Sequence, residues 1–394
     1  MILSIIIPAF NEEESIQAII RRSLAAEERI RALTPVEEVE VIVVSDGSSD
    51  RTEELARTFL PDIKLIAYPD NRGYGRAIKT GFGQAKGDLV SFLDADGTCD
   101  PLFFVDLVNK LLQEKADICI GSRMGPDSRM PKVRRLGNLL FRSLINLIAK
   151  SRITDSASGM RVIRKDRLPH IYPLPDGLHF TPAMSARAAL DPDLSMVEVE
   201  MTYQEREGRS KLNAAKDGLR FLKVILSVAL TYRPLTFLAP PALLLILLAL
   251  GFGGSSLIFY LNRAFVPEES IYRLVSVMVF GVAGVLILGL AGLADKAVNL
   301  IYGGRPRRTS VPGDLIRWFF SWSRMWLLSP FLVLAGVLLN HQTIGSYFSS
   351  GTISTHWVYV VAGGFLVLLG LVGLCLGLVD YLLDLIRARQ DSAD

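Results

Sequence analysis

Four apolar runs near the end of the chain constrain its fold more than any other feature. They cover residues 234–261, 271–293, about 319–339 and 357–378. Each is long enough to cross the ~30 Å hydrocarbon core of a bilayer as a helix. Unpaired backbone groups are costly there, so helices are expected over all four. The chain of 394 residues is 50% hydrophobic, and the excess lies in the second half. Residues 1–211 read as a soluble α/β domain, 212–233 as an amphipathic helix at the membrane surface, and 234–394 as a four-helix transmembrane region.

Basic residues in the connections suggest an orientation. Lys296, Arg305, Arg307, Arg308 and Arg317 fall between the second and third runs, and Arg387 and Arg389 follow the fourth. The first connection balances Arg263 and Arg273 against Glu268 and Glu269, and residues 340–356 hold no Lys or Arg. The positive-inside rule then puts both termini and the soluble domain in the cytosol, as a multi-pass membrane protein. Asp295 and Asp380 sit near span ends, where polar residues are expected, and take no chemistry. The opening MILSIIIPAF lacks a basic start and a small-residue cleavage site, so it reads as a first strand and not as a signal peptide. A formal net charge of +3 implies no nucleic-acid partner. Cys99, Cys119 and Cys375 have neither metal-site nor disulfide spacing. No feature of the sequence sets the number of subunits.

In the soluble part, strand patterns alternate with helix patterns. Apolar strands are expected over residues 3–7, 39–44, 64–67, 89–93 and 118–121. Helices are expected from Ile16, over 52–59 and over 77–85. Such alternation gives a doubly wound, mostly parallel sheet. Within 212–232, Leu212, Ala215, Leu219, Leu222 and Leu226 share one face, with Lys216, Arg220 and Lys223 on another.

Carboxylates follow three of the strands: Glu12, Asp46, and Asp94 with Asp96. In open α/β sheets, that end of the strands is where ligands bind. Two aspartates one residue apart suit Mg²⁺ or a similar hard cation, which takes few protein carboxylates and keeps phosphate and water. A nucleotide held by Asp46 and a cation held by Asp94 and Asp96 fits all three strand ends.

The runs IPAFNEEESI, VVSDGSSDRT, NRGYGRAIKTG and LDADG, in this order, resemble glycosyltransferase family 2 with its GT-A fold. GSR at 121–123, SGMR at 158–161 and REGRSKL at 206–212 are similar to its dolichyl-phosphate mannose synthase and polyprenyl-phosphate glycosyltransferase branch. The similarity covers about residues 1–232. It implies an enzyme that transfers sugar from a nucleotide-sugar donor, GDP- or UDP-linked, to a polyprenyl phosphate. The donor would meet Pro8, Phe10, Glu12, Val44, Asp46, Asp94, Ala95 and Asp96, with Arg206, Ser210 and Lys211 at the diphosphate. Mg²⁺ or Mn²⁺ would sit on Asp94 and Asp96. Three departures stand out. Ser45 precedes Asp46 where the family often has a second Asp. Thr98 stands where the branch usually has Gln. Thr181, Pro182 and Ala183 occupy the stretch where a family glutamate is expected.

A polyprenyl phosphate is already an anion at neutral pH, so it needs cations more than a base. Arg123, Arg129, Lys132, Arg134 and Arg135 lie close together in sequence. Arg123 with Arg134 or Arg135 are the expected acceptor contacts, and the remainder of the stretch would be solvated or lie on anionic headgroups. Direct displacement with inversion is the expected reaction. The other readings are a processive polysaccharide synthase, whose Gln-x-x-Arg-Trp run is missing, and a non-catalytic nucleotide-sugar-binding membrane protein.

Overall fold

The structure is a computed structural model that describes residues 1–126, 128–149, 151–204, 214–263, 267–301, 311–353 and 355–391. It divides into two units, Met1–Ala229 and Leu230–Asp394.

The first unit opens with β1 (Ile2–Ala9), α1 (Ile16–Leu33), β2 (Glu38–Asp46), α2 (Thr52–Arg57), β3 (Lys64–Tyr68), α3 (Tyr74–Gln84), β4 (Leu89–Phe92) and α4 (Phe104–Gln113). Next come β5 (Ile118–Ser122), α5 (Lys132–Ala149), β6 (Arg161–Arg164), α6 (Leu168–Ile171), α7 (Phe180–Leu190), β7 (Met196–Glu200) and α8 (Ala214–Tyr232). Among the described residues seven strands make one sheet, ordered β3-β2-β1-β4-β6-β5-β7. All neighbours are parallel except β6, which runs antiparallel to both β4 and β5.

Alternation along the strands splits the core into two layers. Leu3, Ile5 and Ile7 of β1 face α1 and α4, while Ile6, Ile42, Val90 and Phe92 face α3 and α7. β1 and β2 are apolar on both faces because helices cover both sides of the sheet. β1 runs past its expected end and through Pro8, whose register partner is Val44. The Leu93 N–H donates to the Ile6 carbonyl. Pro8, two residues on, therefore turns its donorless nitrogen to the same side, beyond the end of β4, and no ladder bond is lost.

Several elements, β6, β7 and α5 among them, were not expected from the sequence. β6 and β7 are short, at four and five residues, and both carry charged residues. α5 covers the basic stretch. This helix buries Asn138 with Ile145 and Ile148, while Val133, Leu136, Leu140 and Leu147 are 69%, 60%, 63% and 78% exposed. α8 forms where a helix was expected, but its buried face is Phe221, Ile225, Val228 and Ala229. Phe221 packs edge-on against Phe141 of α5, with ring centroids 5.6 Å apart. Leu219 and Leu222 are exposed.

The second unit holds α9 (Pro234–Arg263), α10 (Ile271–Ile301), α11 (Val311–Phe319), α12 (Trp322–Leu339), α13 (His341–Ser350) and α14 (Trp357–Asp391). Among the described residues four helices are long and apolar enough to cross a membrane: those in Pro234–Arg263, Glu268–Ile301, Trp322–Leu339 and Trp357–Arg389. The third starts later than its apolar run, because Ser321 is extended and separates α11 from α12. Small residues let the helices approach closely. A Cβ at Gly284 of α10 would lie 2.7 Å from Ile246 of α9, and one at Gly336 of α12 would lie 2.5 Å from the Gly363 carbonyl of α14. Asp380 is 6% exposed and joins three of these helices. One of its oxygens pairs with Lys296 of α10 at 2.5 Å, and the other accepts the Trp322 N–H at the start of α12 at 3.0 Å.

Candidate active site

A cleft of about 500 Å³ opens at the carboxyl ends of β1, β2 and β4. The strand order reverses there, since β1 is followed by β2 on one side and meets β4 on the other. Its floor is rigid because the loops after β1 and β2 are stitched together. The Asn11 N–H donates to Ser48 Oγ at 3.1 Å, the Ser49 N–H to Asn11 Oδ1 at 2.8 Å, and the Glu12 N–H to Thr52 Oγ1 at 2.8 Å. The turn after β2 needs glycine: Gly47 has φ +69, and a Cβ there would lie 2.3 Å from the Asn71 nitrogen.

The carboxylates are held individually. Asp46 accepts the N–H groups of Arg72 and Gly73, each at 2.8 Å, and so fixes the loop that starts α3. Asp94 Oδ1 accepts the Tyr74 hydroxyl at 2.7 Å. Burial, followed by the Asp94 charge, pushes the Tyr74 phenol well above its usual range, so it stays a donor. Gly159 faces the same carboxylate, and a Cβ there would lie 2.2 Å from Asp94 Oδ2. Asp96 Oδ1 accepts the Thr98 hydroxyl at 2.6 Å. Thr98 thus braces Asp96 where the branch usually has Gln. Burial pushes the Cys99 thiol up to about 12, which removes it as a nucleophile. Among the described residues no cluster of three or more His, Cys, Asp or Glu forms. Asp94 and Asp96 both line the cleft. Two hard oxygen donors beside a ligand-sized space fit a cation that draws its remaining ligands from phosphate and water.

Basic groups line the same cleft. Arg123 is gripped by Asp155, with Nε to Oδ2 at 2.8 Å and Nη2 to Oδ1 at 3.0 Å. Asn138 of α5 also donates to Asp155 Oδ1, at 2.9 Å. Burial would raise the Asp155 carboxyl, but Arg123 and its hydrogen bonds outweigh that and hold it below its usual value. The Arg123 guanidinium lies over the Tyr203 ring, 5.6 Å from its centroid, and Arg134 Nη1 reaches the Tyr203 hydroxyl at 3.4 Å. Arg161, in SGMR, is fully buried. It donates to the carbonyls of Ser156, Ser158 and Thr181, tying the 156–159 loop to α7. Burial lowers it to about 10. Ala183, in the stretch of α7 where a family glutamate is expected, is 1% exposed and belongs to the core.

Of the expected site residues, Pro8, Phe10, Glu12, Asp46, Asp94, Ala95, Asp96, Arg123 and Arg134 all line the cleft. Val44 is instead buried in the core. Arg135 turns back to the Met124 carbonyl at 3.3 Å. Arg206, Ser210 and Lys211 lie outside the described residues. Sequence reasoning missed Tyr74, Asn138, Asp155, Gly159 and Tyr203. Gly159 was within reach, since it sits in a motif already singled out. Asp155 and Tyr203 carried no signal, because their partners are distant in sequence.

The family model described as "Glycosyl transferase family 2" matches residues 4–171. Undecaprenyl-phosphate 4-deoxy-4-formamido-L-arabinose transferase from Yersinia pestis is 31% identical over 316 residues, 77% of this chain and 91% of that protein. The chain belongs to glycosyl transferase family 2. Its first unit is the GT-A glycosyltransferase fold of that family, followed by the four long apolar helices. A second relative, low-salt glycan biosynthesis hexosyltransferase Agl6 from Haloferax volcanii, is 32% identical over 228 residues, 57% of this chain. That match spans about half of the relative, 53% of its length. Glucosyl-3-phosphoglycerate synthase from Mycobacterium tuberculosis, solved with Mn²⁺, UDP and phosphoglyceric acid, superposes with a TM-score of 0.46 at 22% identity. That match covers 58% of this chain and 78% of that one.

Proposed function

We propose that this family 2 enzyme is an inverting, metal-dependent glycosyltransferase that moves a sugar from a GDP- or UDP-sugar to a polyprenyl phosphate. One observation carries the reading: a single cleft is lined both by the carboxylates of Asp94 and Asp96 and by the guanidinium groups of Arg123 and Arg134. A nucleoside diphosphate needs the first, and an anionic acceptor needs the second. Pro8, Phe10, Glu12 and Asp46 would hold the nucleoside, and Arg206, Ser210 and Lys211 would meet the diphosphate. Mg²⁺ or Mn²⁺, when bound, would offset charge on that diphosphate. An oxygen of the acceptor phosphate attacks the anomeric carbon. The bond from that carbon to the diphosphate breaks, and the nucleoside diphosphate leaves with the electron pair. No proton needs to be removed, since the attacking phosphate is already ionised. Arg123 and Arg134 orient the nucleophile, and a guanidinium fork suits that role better than a point charge.

The surroundings support a lipid acceptor. Arg134 lines the cleft from α5, whose outer face is the exposed row of Val133, Leu136, Leu140 and Leu147. An apolar helix face beside cationic groups matches a membrane surface. The soluble domain and both termini would then face the cytosol, where sugar nucleotides are found. Transfer from a panel of labelled sugar nucleotides to undecaprenyl or dolichyl phosphate, with and without chelator, tests the reading. No product on either lipid would sink it.

A further inference from the structure

Tyr74 stands between two anchored carboxylates. The two residues before it donate their N–H groups to Asp46, each at 2.8 Å. Its own hydroxyl donates to Asp94 Oδ1 at 2.7 Å. Asp46 closes β2 and Asp94 follows β4, so residues 72–74 tie the carboxyl end of β2 to that of β4. The bridge has little play. The Tyr74 ring lies edge-on to Phe180, with centroids 6.4 Å apart and planes at 80°. A Cβ at Gly73 would lie 2.5 Å from the Asp176 carbonyl, and one at Gly75 would lie 2.2 Å from the Pro175 carbonyl, so the loop is clamped from outside.

We propose that Tyr74 is a positioning residue for the cation site, holding the Asp94 carboxylate in its ligating orientation and tying that orientation to the nucleotide loop fixed by Asp46. This rests on the reading of Asp94 and Asp96 as the cation's carboxylates. Partners that orient a metal ligand typically change metal affinity by about 10- to 100-fold when removed. Tyr74→Phe deletes the hydroxyl and keeps the ring against Phe180.

The test uses the full chain in detergent. Free Mn²⁺ is followed by electron paramagnetic resonance, alone and with UDP or GDP, for the wild type, Tyr74→Phe and Asp94→Ala. Thermal unfolding is recorded beside it. Tyr74→Phe should bind Mn²⁺ about 10- to 100-fold more weakly, with an unfolding midpoint near that of the wild type. Its kcat should fall while acceptor KM stays unchanged. If Asp94→Ala loses Mn²⁺ and Tyr74→Phe binds it as the wild type does, Tyr74 is not a positioning residue and the cation reading survives. If Tyr74→Phe lowers only the unfolding midpoint, the role is structural and the proposal fails. If neither variant changes Mn²⁺ binding, the cation reading itself fails.

Discussion

Asp155 holds Arg123 with both carboxylate oxygens, at 2.8 and 3.0 Å, and is itself fully buried. The candidate acceptor cation is therefore not a loose charge. It reaches the cleft already oriented, with part of its charge offset from behind. A phosphate would share this guanidinium with Asp155.

The pair should dominate local stability. Removing one partner of a buried ion pair costs about 3–5 kcal/mol, because the other is left buried and unpaired. Arg123→Ala and Asp155→Asn are each expected to destabilise the soluble domain strongly, and the double variant by less than the sum. Urea unfolding of the four proteins measures the coupling. Strict additivity would mean the two side chains do not interact. The pH dependence has a definite sign. The folded carboxyl lies below its usual value, so its stabilisation is complete above about pH 4 and is lost as the pH falls through the folded value. The gap between wild type and Asp155→Asn should therefore narrow in acid.

Arg134 offers a cleaner probe of the acceptor. It is half-buried, so truncation should leave the fold intact. Arg134→Ala is expected to raise acceptor KM or lower kcat, with donor affinity nearly unchanged. The loss should be about 1.5–3 kcal/mol, or tenfold to a hundredfold in kcat/KM. Arg134→Lys should recover little, since an ammonium lacks the two-pronged geometry. Donor titration by calorimetry beside initial rates in acceptor separates the two. An equal fall in donor affinity would remove Arg134 from the acceptor role.

Asp96 should matter to turnover far more than to folding. Its hydrogen bond with Thr98 is local, within one turn. Asp96→Ala is expected to abolish transfer while the unfolding midpoint stays within a few degrees of the wild type. Thr98→Val, which removes only the brace, should give a partial loss. Near-normal transfer by Asp96→Ala, with a divalent cation still required, would exclude Asp96 as a ligand.

The architecture was legible because period and hydropathy are local signals. The parallel strands read as unbroken apolar runs since helices cover both faces of the sheet. β6 did not, because its four residues begin and end with arginine. α5 was hidden for a related reason: it is apolar on both sides, with Ile145 and Ile148 buried beside Asn138 and Val133, Leu136, Leu140 and Leu147 exposed, so no single apolar stripe marks it. At the site, the carboxylates follow strands and were found from that position alone. Their supports were not, since Tyr74 lies 20 residues from Asp94, and Asp155 lies 32 residues from Arg123. Val44 shows the opposite error. It adjoins a site motif, but strand alternation turns its side chain into the core.

Membrane orientation can be decided without knowing the substrate. Charge near the second and third spans is partly cancelled: Lys296 pairs with Asp380 and Asp384, and Arg317 lies 3.7 Å from Asp295. The orientation then leans on Arg305, Arg307 and Arg308, which lie outside the described residues, and on Arg387 and Arg389. Opposite them, residues 340–356 contain no Lys or Arg. Within that stretch α13 exposes Ile344, Tyr347 and Phe348, a helix face suited to the membrane interface. Native Cys375 lies within a span and is exposed, so it is first replaced by serine. A cysteine at Ser350 is then expected to react with an impermeant maleimide on intact cells. One at Ser310 should react only after permeabilisation. Reversing the charge bias, by changing Arg305, Arg307 and Arg308 to Ala and adding arginines at 349, 351 and 352, should weaken or invert that pattern if loop charge sets it. Labelling of Ser310→Cys from outside would put the cleft on the side away from cytosolic sugar nucleotides and exclude the donor class argued here.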